Sequence, residues 1–293
     1  MNHKIKSVTI ITLTYNNSHL LEKAINSVAV QKINEEYDVE YIIADDGSTN
    51  FDRYFVRSLL SKVKFKTRLI CNEKNIGTVA SFNNAIKQSS GDIIIPLAAD
   101  DEFYDDNVVM DVINEFQITT AIIITALRVP VIDGLESKPL PSERDIRLFE
   151  SREALLRRLL VQGNFISGAS TYYHRNAFHL NGYFDTNYKL LEDYPFYIKS
   201  LSNRIDIRFM DRKVIRYGVD GISAKGRLSA VLQNDFKVLT HKILERNDIN
   251  FLEKRLITFN RLMTKQERIK NIIFYPDLFF IWFMKKYLIK HLR

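Results

Sequence analysis

The chain has 293 residues, of which 46% are hydrophobic, and a formal charge of +7. This length and apolar content favour one large folded domain, or a domain with an appendage, and exclude a disordered chain. The single cysteine, Cys71, excludes a disulfide framework and a multi-cysteine metal site, and it fits a reducing compartment. The start of the chain predicts no signal peptide, and no apolar run reaches the roughly 20 residues of a membrane-spanning helix.

Strand and helix patterns alternate along the first half of the chain. Apolar, β-branched runs predict strands, and the stretches between them place apolar residues at helical spacing. The predicted strands are residues 7–13, 39–44, 67–71, 92–97 and 121–125, and the predicted helices are residues 19–30, 51–62, 78–89 and 105–117. This alternation predicts an α/β fold, with a mostly parallel sheet and helices on both of its faces.

The second half of the chain is less regular. Prolines and a glycine punctuate residues 126–150 and predict a loop, whereas residues 151–162 predict an amphipathic helix with Ser151 as its N-cap. From about residue 228 the pattern predicts a helical appendage. Residues 272–293 are aromatic and basic, which predicts contact with a membrane surface; packing of this segment against the domain is the alternative.

Three of the predicted strands end in polar clusters, at residues 14–17, 45–48 and 100–102. Because ligands of such sheets bind beyond the carboxyl ends of the strands, we expect these clusters to converge. The adjacent carboxylates of Asp100 and Asp101 repel each other unless a cation lies between them, and oxygen ligands favour Mg²⁺ or Mn²⁺. The alternative is a solvated acidic turn that caps the next helix.

A further acidic pair, Glu192 and Asp193, lies in the second half of the chain. A carboxylate beside a reacting hydroxyl group can accept its proton. The alternative is that the pair only caps a helix beginning near Tyr194, because Pro195 suits a first helical turn.

Taken together, these clusters resemble glycosyltransferase family 2, whose members have the GT-A fold and invert the anomeric carbon. The resemblance covers residues 7–220 and depends on the order and spacing of five motifs. They are residues 9–17 (TIITLTYNN), 41–50 (YIIADDGSTN), 72–77 (NEKNIG, with Asn83 following), 90–101 (SGDIIIPLAADD) and 191–194 (LEDY).

The resemblance implies a role for each matching residue. The nucleotide-sugar set is Thr14, Tyr15 and Asn17 in the nucleotide loop, Asp46 at the uracil with Asp45 beside it, Asn75, Gly77 and Asn83 in the third motif, and Asp100 near the ribose and sugar. It implies Asp101 as the ligand of Mn²⁺ or Mg²⁺, and Asp193 as the general base, with Glu192 as the second choice.

The sequence departs from the family pattern at two places. Phe82 stands where an Arg is common, and residues 216–226 lack the His that often helps to hold the metal ion or the diphosphate. We expect Ser223 or Lys225 to contact the diphosphate instead, with Arg227 as a further candidate, because Gly218, Gly221 and Gly226 would let this loop close over the donor.

The resemblance also implies a domain plan and a reaction. Residues 1–227 would form the catalytic domain, with a nucleotide-binding part (1–125) and an acceptor part (126–227), and residues 228–293 the appendage. The enzyme would move a hexose or N-acetylhexosamine from a UDP-sugar to a glycan acceptor. By analogy with bacterial members, that acceptor would be lipid-linked, in capsule or O-antigen synthesis, on the cytoplasmic face of the plasma membrane.

Two other classes of protein stay open, and two are disfavoured by the sequence. A nucleotidyltransferase and a non-catalytic relative that binds nucleotide-sugar or glycan stay as alternatives. A dinucleotide-binding oxidoreductase is disfavoured because residues 14–17 contain no glycine. Nucleic-acid binding is disfavoured because acids, rather than Lys and Arg, line the predicted cleft.

Overall fold

The computed structural model describes residues 4–218 and 229–284. The strands are β1 (Ser7–Thr14), β2 (Asp38–Asp45), β3 (Lys66–Cys71), β4 (Ile93–Pro96), β5 (Asp101–Phe103), β6 (Ile123–Ile132), β7 (Leu135–Glu136), β8 (Thr171–His174) and β9 (Arg208–Gly218). The helices are α1 (Leu21–Ala29), α2 (Arg53–Leu60), α3 (Thr78–Gln88), α4 (Val108–Ile118), α5 (Glu143–Ile146), α6 (Arg152–Gln162), α7 (Asn176–Asn181), α8 (Asp193–Ser202), α9 (Ala230–Leu244), α10 (Phe251–Ile257), α11 (Lys265–Lys270) and α12 (Pro276–Phe283). Short 3₁₀ turns lie at Ser18–Leu20, Arg147–Glu150 and Gly168–Ser170, and a π-helical stretch at Thr258–Leu262.

In the described residues, nine strands form one sheet in the order β3-β2-β1-β4-β8-β6-β9-β5, with β7 paired to β6. Strands β3, β2, β1 and β4 are parallel neighbours, and β6 is parallel to β9. β8 is antiparallel to both β4 and β6, and β5 is antiparallel to β9. The predicted mostly parallel α/β sheet is therefore confirmed.

Alternation along the central strands builds two hydrophobic cores, one on each face of the sheet. Ile11, Ile42 and Ile94 belong to the core that α3, α6, α7, α8 and α9 cover. Ile10 and Ile95 belong to the other core, which α1, α2 and α4 cover. Strands that are buried on both faces read as continuous apolar runs, which is why the sequence predicts them well.

The predicted loop over residues 126–150 is wrong in part. β6 continues to Ile132 because β9 pairs with it as far as Val131, and β7, α5 and a 3₁₀ turn follow. Pro130 is tolerated inside β6 because the pairing with β8 has already ended at Thr125, so its missing N–H leaves few ladder bonds unmade. The acidic turn at residues 100–102 is also more regular than expected, since Asp101 begins β5.

The C-terminal region is helical, as expected, but its first helix is not separate from the sheet. Leu232, Leu239 and Ile243 of α9 lie in the same core as α3 and α8. From residue 260 to residue 284 no side chain is buried. The domain boundary at residues 227/228 stays a prediction. No helix in the described part of the chain is both long and apolar enough to cross a bilayer.

Candidate active site

The loop after β1 is held in shape by its own polar side chains. The Thr14 hydroxyl donates to Asn17 Oδ1 (2.6 Å), and the Tyr15 backbone N–H donates to the same oxygen (3.0 Å). The backbone N–H of Asn16 donates to Ser48 Oγ (2.7 Å), which ties this loop to the loop after β2. A polar depression of about 420 Å³ lies against the two loops and is lined by Asn16, Ser18, His19, Thr49 and Asn50.

Asp45 and Gly47 shape the second loop. Asp45 is buried at the end of β2, and its carboxylate accepts hydrogen bonds from the backbone N–H and the hydroxyl of Ser48. Gly47 has φ +71°, and a Cβ built there would lie 2.3 Å from the carbonyl carbon of Lys74. Only glycine allows this contact, so the second and third motifs touch through their backbones.

Asp46 is buried, and hydrogen bonds within the protein occupy both of its oxygens. Oδ1 accepts from the Asn72 amide (3.1 Å), the Ile76 N–H (2.9 Å) and the Ser81 hydroxyl (2.7 Å), and Oδ2 accepts from the Gly77 N–H (2.9 Å). This geometry favours a positioning role at the start of α3. The uracil contact implied for Asp46 stays a prediction.

The third motif divides into an exposed part and a structural part. Asn75 is exposed next to Gly47, and Gly77 is the N-cap of α3, with φ +92°. The Asn83 amide is buried and pairs with the backbone of Phe184, donating at 2.8 Å and accepting at 3.1 Å. The side chain of Asn83 therefore makes its hydrogen bonds inside the core. The nucleotide-sugar contact implied for Asn83 stays a prediction. Phe82 is buried against the Phe184 ring.

Asp101 is the buried member of the Asp100–Asp101 pair. Burial and the neighbouring Asp100 carboxylate raise the pKa of Asp101 to about 8, while Arg128 and Lys23 oppose this rise. Asp101 pairs with Tyr217 on β9, two residues before the undescribed segment 219–228. Ser223, Lys225 and Arg227 therefore lie outside the described residues.

The surroundings of Asp101 fit a divalent cation that also binds substrate. Among the described residues, no hydrogen bond or ion pair reaches its carboxylate, and no three His, Cys, Asp or Glu side chains form a ligand group. A buried carboxylate that lacks a partner is costly unless a cation compensates its charge. Mg²⁺ commonly takes only one or two protein carboxylates and completes its shell with substrate phosphates and water. Asp101, with Asp100 beside it, supplies that kind of site.

Glu192 and Asp193 lie together at the start of α8, both half-buried. Burial raises the pKa of both carboxyl groups, and the Asp193 carboxylate adds to the rise at Glu192. The backbone N–H groups of Tyr194 and Gly168 stabilise the Asp193 carboxylate and oppose that rise. Asn164 Nδ2 lies 3.4 Å from Asp193 Oδ2. A carboxylate with a raised pKa is a stronger proton acceptor.

Arg128 on β6 influences both acidic sites, the Asp100–Asp101 pair and the Glu192–Asp193 pair. Its positive charge lowers the pKa of both Asp101 and Asp193, so it lies within electrostatic reach of each. The sequence reasoning missed Arg128 because it falls in the segment predicted to be a loop. It also missed Asn164 and Gly168, which carry no motif. Had β6 been predicted at its full length, Arg128 would have appeared on a strand of the sheet and not in a loop.

The fold and the arrangement of the acids define the GT-A class, in which helices flank a mostly parallel sheet whose strand ends carry polar motifs. The pattern of glycosyl transferase family 2 matches residues 9–180, and the chain belongs to this family.

Relatives with curated sequences match only part of the chain. An uncharacterised protein of Mycobacterium tuberculosis is 28% identical over 164 residues, which cover 54% of this chain and 46% of the relative. An uncharacterised glycosyltransferase of Nostoc is 29% identical over 127 residues, covering 43% of this chain and 38% of the relative. The matches thus span less than half of the length of these relatives.

Solved structures of TarS from S. aureus share the fold. The complex of TarS residues 1–349 with UDP has a TM-score of 0.60 at 18% identity, covering 91% of this chain and 74% of that chain. The complex with UDP-GlcNAc has a TM-score of 0.63 at 19% identity, covering 91% of this chain and 75% of that chain.

Proposed function

We propose that the chain catalyses inverting transfer of a hexose or N-acetylhexosamine from a UDP-sugar to a glycan acceptor. One observation carries the proposal: the buried Asp101 and the proton-accepting Asp193 both lie within electrostatic reach of one cation, Arg128. A nucleotide-sugar reaction needs these groups close together, one for the leaving diphosphate and one for the attacking hydroxyl. Membership of family 2 and the shared fold with a UDP-GlcNAc complex support the choice of donor.

In the proposed mechanism, the chain's own residues orient the two reactants and move one proton. Asp193 accepts the proton of the acceptor hydroxyl as its oxygen attacks the anomeric carbon from the face opposite the diphosphate. Inversion then gives a β-linkage from an α-linked donor. Asp101, with Asp100 beside it, would hold Mn²⁺ or Mg²⁺, which when bound stabilises the negative charge of the departing UDP. Arg128 adds positive charge within electrostatic reach of both carboxylates.

Screening UDP-sugars for UDP release tests this proposal. We expect at least one UDP-hexose or UDP-N-acetylhexosamine to give UDP faster than the buffer control, and Mn²⁺ or Mg²⁺ to raise the rate relative to EDTA. Water can replace the acceptor in this assay, so the acceptor need not be known. Release of inorganic diphosphate would instead identify a nucleotidyltransferase. UDP binding without turnover of any donor would identify a non-catalytic relative.

We further propose a lipid-linked acceptor in surface polysaccharide synthesis, such as capsule or O-antigen, used at the inner face of the plasma membrane. The support is the apolar surface at the end of the described chain. Ile273 and Phe274, before α12, and Phe280 on α12 are all exposed. Cationic Lys265 and Lys270 on α11 lie in the preceding turns of the chain. Aromatic and aliphatic side chains beside cations suit an anionic lipid surface.

Replacing Phe274 and Phe280 together by Ser is expected to weaken binding to phosphatidylglycerol vesicles. About 0.8 kcal/mol is lost for each CH₂ equivalent that no longer enters the bilayer, so the loss should exceed tenfold. Co-sedimentation with phosphatidylglycerol and with neutral phosphatidylcholine vesicles measures it. The matched control is Tyr54→Ser, which removes an exposed aromatic ring from α2. Equal vesicle binding by the double variant and the wild type would exclude this surface.

A further inference from the structure

Asp235 is a buried acid of α9 to which the mechanism above gives no role. It is 2% exposed, and its Oδ2 accepts three backbone N–H groups in succession: Lys189 (2.9 Å), Leu190 (2.7 Å) and Leu191 (3.2 Å). Hydrogen bonds to a carboxylate are about twice as strong as those between neutral groups. One oxygen of α9 therefore fixes the path of three consecutive residues.

The same segment is held from its other side by the nucleotide-binding half of the protein. The carbonyl oxygen of Lys189 accepts the N–H of Val79 in α3 (3.2 Å). A Cβ built at Gly77 would lie 3.0 Å from that oxygen, so the start of α3 packs directly on the segment. Residues 189–191 are thus clamped between α3 and α9. The next two residues are Glu192 and Asp193.

We propose that Asp235 is a positioning residue for the glycosyl transfer, because it fixes the backbone that aims Asp193 at the acceptor hydroxyl. The inference rests on the proposed function for its kinetic consequences, but the anchoring itself does not. Asp235 touches no reacting atom in this scheme. Misplacing a reacting group by about 1 Å can cost about 10²-fold in rate, so an anchor of this kind has a large effect on turnover.

Through Asp235, the C-terminal helical region would position the proton acceptor without contacting a reacting atom. The segment that carries the proton acceptor would be in place only when α9 is docked. The donor-side residues 14–17 and 45–48 have no hydrogen bond to Asp235 among the described contacts. Loss of the anchor should therefore change turnover much more than donor binding.

Three variants test the anchor. Asp235→Ala removes the acceptor of all three N–H groups, Asp235→Asn keeps one oxygen in place, and Lys242→Ala breaks another contact of α9, the ion pair with Asp185 (3.2 Å). The quantities to measure for each variant are kcat and KM for UDP release, UDP affinity by calorimetry, and amide hydrogen exchange of residues 189–193.

We expect Asp235→Ala to lower kcat about 10²-fold, to leave UDP affinity and donor KM unchanged, and to speed amide exchange at residues 189–193. Asp235→Asn should recover most of the rate and protection, and Lys242→Ala should match the wild type in both. Unchanged exchange in Asp235→Ala, or equal losses of kcat and UDP affinity, would overturn the proposal. If the wild type turns over no donor, the proposed function fails, while the exchange data still decide whether Asp235 anchors the segment.

Discussion

Asp193→Asn is expected to lower kcat for glycosyl transfer by about 10²- to 10⁴-fold, the usual contribution of a general base. The amide keeps the size of the side chain but cannot accept the hydroxyl proton. UDP affinity should stay unchanged, because Asp193 lies at the start of α8 and not in the loops after β1 and β2. Initial rates of UDP release and calorimetry with UDP measure the two quantities.

The pH profile of the wild type adds an independent check. Burial raises the pKa of Asp193, and the group must be deprotonated to act as a base. Activity should therefore fall as the pH drops through this raised pKa, well above the value near 4 of an ordinary Asp. The acid limb of kcat/KM against pH reports the pKa of the free enzyme.

Glu192→Gln is the matched variant for this experiment. It replaces a carboxyl group whose pKa is raised to about 8 and which is therefore already protonated where Asp193 titrates, so the acid limb should stay in place and most of the turnover should be kept. If Glu192→Gln lost more activity than Asp193→Asn, Glu192 would be the base. If Asp193→Asn kept full turnover, Asp193 would have no part in the proton transfer.

Asp101→Asn is expected to abolish the effect of Mn²⁺ or Mg²⁺ on UDP binding. An amide oxygen is a much weaker ligand than a carboxylate for a hard cation, and Asp101 is the buried acid of this part of the site. Calorimetry with UDP, in Mn²⁺ and in EDTA, measures the loss. The control is Asp106→Asn, which breaks a surface ion pair with Lys32 (2.6 Å) five residues further along the chain.

The same substitution should stabilise the metal-free protein. The pKa of Asp101 is raised from 3.8 to about 8, so the folded state keeps a proton that the unfolded state loses as the pH rises through this window. The stability contribution of this group falls as the pH rises, and the variant avoids that fall. Thermal unfolding in EDTA should show a Tm gain that grows between about pH 5 and pH 8. A metal-independent UDP affinity in the wild type would contradict the assignment of Asp101.

The sequence predicts the fold best where strands are buried on both faces. β4 is an uninterrupted apolar run, and β1 and β2 are rich in apolar and β-branched residues. Helix α1 places Leu21, Ala24, Ile25 and Val28 at helical spacing. Prediction from the sequence fails where strand pairing in the folded protein overrides local signals. Pro130 indicates a loop by itself, yet β9 keeps it within β6. The antiparallel insertion of β8 between β4 and β6 has no local signature either.

The residues of the candidate site likewise fall into those that the sequence predicts and those that it does not. The acids are visible in the sequence because they follow strands at motif spacing, and Asp101 and Asp193 have the environments that their proposed roles need. Partners that come from distant segments are not visible. Arg128, Asn164 and Asp235 match no motif. Only packing brings Arg128 within reach of Asp101 and Asp193, Asn164 to Asp193, and Asp235 to the backbone of residues 189–191. Spacing likewise cannot reveal that Asp46 and Asn83 direct their polar groups inward.

The continuity of one hydrophobic core across residue 228 bears on how the C-terminal helices could be exchanged between members of the family. A chimera joined just before α9 would pair the catalytic sheet with foreign counterparts of Leu232, Leu239 and Ile243. Mismatched side chains in such an interior cost several kcal/mol in typical cases. A crossover after Phe259, the last buried residue that the structure describes, leaves that interior intact, because no side chain at residues 260–284 is buried. The modular unit of this protein is therefore shorter than its helical tail.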